Sequence, residues 1–185
     1  MTTLAAPDVR VRRLPVVGVM GSGSQAHATR AEPLGRWIAG LGVHLLTGGG
    51  GGVMESVGRA FTAVPGRRGI SIGILPGEAG GAPAGYPNPF VELAIPTHLP
   101  WSGERGTDPL SRNHINVLAS AVLVALPGGA GTASEVQLAA RYARPLIAFV
   151  AGREDIPGLP GGTPVAHALD AVKVFVRDAL GASLA

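Results

Sequence analysis

Ala121-Val122-Leu123-Val124-Ala125-Leu126-Pro127-Gly128-Gly129-Ala130-Gly131-Thr132-Ala133-Ser134-Glu135 is the stretch on which the fold turns. Its first six residues are an unbroken apolar run of strand length, followed by a proline-glycine turn. Beyond the turn, Val136, Ala139, Ala140 and Ala143 recur at helical spacing. A strand that empties through a glycine turn into a helix gathers free N–H groups and the positive end of a helix dipole at one point, and anions bind there. Gly128, Gly129 and Gly131 let a phosphate approach the main chain, while Thr132 adds a hydroxyl donor. Glu135 fits two readings that the pattern leaves open. Its carboxylate is favourable near the positive end of the dipole, and it also stands where it would face the sugar carbon beside a bound phosphate.

Upstream, the same strand-turn-helix grammar repeats. Pro15 to Met20 reads as a buried strand that ends in Gly21-Ser22-Gly23-Ser24, either a small anion cradle or an ordinary tight turn. Leu34, Trp37, Ile38 and Leu41 mark the following helix, and Gly40 with Gly42 its exit. This start falls short of the dinucleotide fingerprint: position 26 is Ala26 and no acidic residue ends the next strand, so NAD is not expected. The second strand, Val43 to Thr47, runs into Gly48, Gly49, Gly50, Gly51 and Gly52, and Val53-Met54-Glu55 opens a helix through about Phe61. Five consecutive glycines cost chain entropy on ordering, which favours a loop approached by a ligand over a linker. His44 is read as a packed or edge histidine.

Ile70 to Leu75 gives a third strand, and Pro76 to Pro89 a Gly/Pro-rich surface excursion of lid type. A short strand, Val91 to Ile95, leads into the long loop Pro96 to Asp108. There Trp101 is placed to stack on a heterocycle or to anchor its loop, and Arg105 to meet an anion or solvent. Pro109 to Ser120 is expected as a helix capped by Asp108, carrying Arg112, Asn113, His114 and Asn116. Pro145 to Val150 is a strand, Gly158 to Gly162 a turn, and Val165, Leu169, Val172, Val176 and Leu180 outline a closing amphipathic helix.

Composition narrows the chemistry. The 185 residues include no cysteine, which removes disulfides, thiolate zinc sites and cysteine nucleophiles. Of the 15 basic residues Lys173 is the single lysine, in the terminal helix far from any glycine loop. A Schiff-base lysine for pyridoxal phosphate and a P-loop lysine are therefore both missing. The formal charge of +3 comes with 4% aromatic residues and no basic stripe, against a nucleic-acid partner. His27, His44, His98, His114 and His167 are scattered without ligand spacing, so no metal is expected. No run is long enough to cross a bilayer, and the N-terminus lacks the apolar core of a secretion signal, which suits the cytoplasm.

Strands separated by helices argue for a mostly parallel sheet flanked by helices, a doubly wound, Rossmann-like α/β sandwich. Residues 15–185 are expected as its single domain, with 1–14 a basic, disordered tail. Three glycine-rich turns leave strand carboxyl ends, where open α/β sheets collect ligands, so a phosphorylated small molecule is the expected partner.

Pro127 to Glu135 also matches, at every fixed position, Pro-Gly-Gly-x-Gly-Thr-x-x-Glu, and so resembles the LOG (Lonely Guy) family, often mislabelled lysine decarboxylases. The resemblance spans Val16 to about Val150 and includes Gly21, Ser22, the glycine turn before Val53-Met54, and a helix with an arginine ahead of the signature. It implies hydrolysis of nucleoside 5′-monophosphates to free base and ribose 5-phosphate without a cofactor, with Arg112 and Glu135 as catalytic pair, and a homodimer. The phosphate would lie against Gly21, Ser22, Met54, Pro127 and Thr132. The family's helix usually reads Met-His-x-Arg-Lys, whereas here it is Leu110-Ser111-Arg112-Asn113. Ser111 to Ser120 looks closer to molybdenum cofactor carrier proteins, a sister branch that binds a phosphorylated pterin and keeps both Arg and Glu. The hydrolase is the first expectation, and a non-catalytic carrier of the molybdenum cofactor the alternative.

Overall fold

The computed structural model describes residues 13–77 and 81–184. Its centre is one seven-stranded sheet, parallel throughout. The strands are β1 (Val16–Met20), β2 (His44–Thr47), β3 (Ser71–Leu75), β4 (Leu93–Pro96), β5 (Val122–Ala125), β6 (Leu146–Phe149) and β7 (Val165–Ala166). The helices are α1 (Ala28–Ala39), α2 (Val53–Thr62), α3 (Asn113–Ala119), α4 (Ala130–Arg141) and α5 (Leu169–Leu184). The strand order is β4-β3-β2-β1-β5-β6-β7.

Alternate residues of the central strands feed two separate cores. Val17 and Val19, Leu45, Val122 and Val124, and Ile147 and Phe149 face α1, α2 and α5. Met20, Leu46, Leu123 and Ala125, and Leu146 and Ala148 face α3 and α4. Period-two side chains that are apolar on both faces are the reason these strands read as continuous hydrophobic runs and must be covered twice. The doubly wound expectation therefore holds. From β1 the chain winds out one way through β2 to β4, then returns to add β5 to β7 on the other side. The carboxyl ends of β1 and β5 flank the point where the winding reverses, the place such sheets keep for ligands.

Two expected elements differ. The helix predicted from Pro109 begins instead at Asn113, because Asp108 is spent on a turn: its Oδ1 accepts the Leu110 N–H (2.9 Å) and its carbonyl accepts that of Ser111 (2.8 Å). Ser111 then makes an isolated parallel bridge to Trp101, so residues 108–112 tie down the preceding loop instead of coiling. The closing helix starts at Leu169, not Val165. Val165 falls on the helical spacing of Leu169 and Val172, yet with Ala166 it pairs to β6 as a seventh strand. The expected tail, 1–14, lies outside the described residues except for 13 and 14, and 78–80 of the Pro76 to Pro89 excursion also lie outside them.

Candidate functional site

The three glycine turns meet. Ser22 donates its N–H to the Pro127 carbonyl (3.0 Å) and accepts the Val53 N–H on its own carbonyl (2.9 Å), so the turns after β1, β2 and β5 are locked to one another at a single residue. Gly52 is placed by this contact: at φ +61° and ψ −126°, a Cβ there would drive into the Ser22 carbonyl oxygen. The junction rims a cavity of about 120 Å³ at the sheet's reversal point, where open α/β sheets collect ligands.

One wall is the start of α4. Ala133 is the first residue whose N–H finds a helical acceptor, the Gly129 carbonyl (2.9 Å), and helix geometry leaves the N–H groups of residues 130–132 without one. Gly131 and Thr132 line the cavity, and Thr132 Oγ1 is buried with no hydrogen-bond partner. That orphaned hydroxyl beside unpaired N–H groups at a helix N-terminus is the local chemistry of an anion seat. The turn after β2 is different. Thr47 Oγ1 takes the Gly49 N–H (3.1 Å) and Met54 Sδ takes that of Gly50 (3.4 Å), so two donors expected for the ligand are already used. Of the five glycines Gly48 lines the cavity, as do Gly21 and Met54, whereas Gly49 to Gly52, Pro127, Gly128 and Gly129 are outside its lining.

Arg112 and Glu135 both line the cavity and both are buried, yet they do not form an ion pair. Arg112 Nη1 donates to the carbonyls of Gly48 and Ile74, crossing the ends of β2 and β3, and its Nε is buried without a partner. Glu135 Oε1 accepts from Asn116 Nδ2 (2.8 Å). Burial pushes the Glu135 carboxyl above its usual range, against the lowering influence of the nearby Arg112 charge and the Asn116 bond. Burial likewise lowers Arg112, opposed by the Glu135 charge. The choice that the sequence left open for Glu135 is thereby narrowed: it makes no cap bond and points inward.

Asn113 and Asn116 lie three residues apart on one face of α3 and stitch it to α4, through Asn113 Nδ2 to Ser134 Oγ (2.8 Å) and Asn116 to Glu135. Asn113 borders the cavity and Asn116 stands behind Glu135. Trp101 and Arg105 are outside the lining. The Arg105 guanidinium sits 3.6 Å from the Trp101 ring centre and also bonds Asp108 (2.9 Å), so each takes up the group the other would offer a ligand. Their neighbours Ser102 and Gly103 border the cavity instead.

Sequence reasoning missed Met20 and Tyr86. Met20 ends β1 and belongs to the strand pattern. Tyr86 enters from the Gly/Pro-rich excursion after β3, where no motif marks it, although an aromatic ring in such a stretch is itself a signal. Among the described residues, no cluster of three or more His, Cys, Asp or Glu is arranged to hold a metal ion, and no helix is long and apolar enough to cross a membrane.

Fold and site together define a doubly wound α/β protein with a glycine-rimmed cavity at its topological switch point. A family model described as the SLOG cluster4 family matches residues 14–161, and the chain belongs to that family. The LOG-related resemblance read from Pro127 to Glu135 is thus borne out. Among solved structures, the chain is similar to the molybdenum cofactor binding protein from the phototrophic bacterium Rippkaea orientalis, at 30% identity and a TM-score of 0.70, over 92% of this chain and 99% of that one. It is similar to the molybdenum cofactor carrier protein from Chlamydomonas reinhardtii at 32% identity and a TM-score of 0.70, over 91% and 99%. The DNA processing protein A from Helicobacter pylori, at 15% identity and a TM-score of 0.63 over 90% and 82%, shares the fold alone. No curated protein matches the chain.

Proposed function

We propose that the chain binds a phosphorylated heterocyclic compound of the molybdenum-cofactor kind and passes it on uncleaved. The observation that carries this reading is the state of Glu135. It is buried, biased toward its neutral form and not ion-paired with Arg112, whose Nη1 is committed to two main-chain carbonyls. Cleaving an N-glycosidic bond develops oxocarbenium character, which a carboxylate stabilises through its negative charge. A carboxyl whose charged form is disfavoured by burial supplies less of that stabilisation than a solvated one. The phosphate is assigned to the N-terminus of α4 and Thr132, and the ring system to the end lined by Met20 and Met54. Similarity to cofactor-binding and carrier proteins over nearly their whole length supports the same reading.

The hydrolase reading, which the signature motif placed first, keeps one observation in its favour: Glu135 lines the cavity in the second turn of the helix whose start would seat the phosphate. One preparation decides between the two. Protein purified from cells that make the cofactor is expected to carry molybdenum and, after oxidation, pterin fluorescence, and to release no base from a panel of purine and pyrimidine nucleoside 5′-monophosphates read by chromatography. Base release above a protein-free control that disappears in Glu135→Ala overturns the carrier reading in favour of hydrolysis. The homodimer implied by the LOG resemblance is part of this proposal and is read by light scattering on the same sample.

A further inference from the structure

The residue that the sequence nominates for ring stacking, Trp101, has its face taken by Arg105 at 3.6 Å and does not reach the cavity. Tyr86 does reach it. Its ring stands 5.7 Å from the Arg112 guanidinium, a looser cation–π contact than the 3.6 Å Arg105–Trp101 stack, its hydroxyl interacts with Arg112, and its side chain is half-buried at the cavity wall. The ring is packed against the main chain of the glycine turn: a Cβ on Gly50 would lie 2.8 Å from Tyr86 Oη and Cζ and 2.9 Å from Met54 Cε. Gly50 therefore owes its identity to the close approach of this ring and the methionine.

What holds Tyr86 there is Asn88, two residues on and buried. Its N–H donates to the Gly49 carbonyl (2.8 Å) and its Nδ2 to that of Gly50 (2.7 Å), while its Oδ1 accepts the Phe90 N–H (3.0 Å). The excursion and the glycine turn are thus one rigid piece at this point. A further bond from the Tyr86 N–H to the Pro83 carbonyl (3.1 Å) closes the turn that presents the ring. An aromatic ring held by main-chain clasps beside a methionine thioether, with the Arg112 guanidinium 5.7 Å from its centre, offers another flat ring a surface to stack on.

We propose that Tyr86 determines which ligands this cavity accepts, by forming the platform on which the planar, conjugated ring of a phosphorylated compound stacks. This rests on the reading of α4 as the phosphate seat, and it adds that the ring, not the sugar, is what the β3 side of the site selects. Ligands with the phosphate but no flat ring bind without using Tyr86.

The test is calorimetric titration of the full chain with two kinds of probe: ribose 5-phosphate, which lacks a ring, and adenosine 5′-monophosphate together with a pterin phosphate, which have one. Tyr86→Leu keeps the bulk and removes the π face, Tyr86→Phe keeps the face, and Trp101→Ala is the comparison. Tyr86→Leu is expected to weaken at least one ring-bearing probe about 10-fold, the scale of one lost aromatic stack, and to leave ribose 5-phosphate unchanged. Tyr86→Phe and Trp101→Ala are expected to bind every probe as the wild type does. Equal weakening of ringed and ringless probes in Tyr86→Leu, or loss of ring binding in Trp101→Ala instead, overturns the proposal. Wild-type protein that binds ribose 5-phosphate as tightly as both ring-bearing probes overturns it too while leaving the phosphate seat intact. Wild-type protein that binds none of the three removes the phosphate seat and the platform together. Circular dichroism melting of each variant separates a lost platform from a lost fold.

Discussion

Glu135 joins stability to chemistry at the scale of a single side chain. Its carboxyl has an unfolded value near 4.5 and a higher folded one, because burial disfavours the charge. Below the unfolded value both states are protonated and the group contributes no pH dependence. As pH climbs through the window between the two values the folded protein holds the proton that the unfolded chain has released, so stability falls. Above the raised value the penalty is constant. Glu135→Gln keeps an acceptor for Asn116 and has nothing to ionise. It is expected to lack the decline and to be the more stable form at neutral pH, as read by urea unfolding of both proteins from acid to neutral pH. Parallel curves would mean the carboxyl is not held neutral. The buried orphans Thr132 Oγ1 and Arg112 Nε belong to residues that line the cavity with Glu135, which is how a folded protein looks where a ligand completes its hydrogen bonding.

Turns, not helices or strands, are the elements that make the site, and two kinds of turn do so. Gly52 sits where only a residue without a side chain fits. Gly52→Ala is expected to cost on the order of 1–3 kcal/mol, the usual price of forcing a side chain into such backbone conformations, and to weaken ligand binding, because Ser22 can then no longer join the turns after β1 and β2. Chemical denaturation gives the first, and titration with ribose 5-phosphate the second; an unchanged midpoint would show the junction to be soft. The loop before α3 is held by side chains instead. His114 Nε2 lies 2.9 Å from the Asp108 carbonyl, which can only accept, so Nε2 carries a proton, and Nδ1 is hydrogen-bonded to the Tyr142 hydroxyl (2.7 Å). The glycine turns were legible in the sequence, since glycine runs at strand ends have few explanations other than close approach. This clasp was not, because histidine and tyrosine 28 positions apart carry no spacing rule.

For the whole molecule, the sheet divides the interior into two cores that share no side chain. Ile38 belongs to the α1 side and Ile74 to the α3 side. Ile38→Val and Ile74→Val should each cost roughly 0.5–1.5 kcal/mol, and the double variant their sum to within about 0.5 kcal/mol, as measured by equilibrium denaturation. A large interaction energy would show that strain passes through the sheet. The sequence by itself determined the alternation of strand and helix, the parallel doubly wound sheet and the glycine turns at its carboxyl edge, because these rest on periodicity and turn chemistry within a few residues. Tertiary structure alone decided the rest. Arg112 spends its Nη1 on carbonyls 38 and 64 positions away, Arg105 closes the face of Trp101, and Asn88 reaches back 38 positions to fix Tyr86 at the cavity wall. The physical reason is that a side chain's partners across strands follow from strand order and from how neighbouring groups compete for the same donors and faces, and no local pattern encodes that competition.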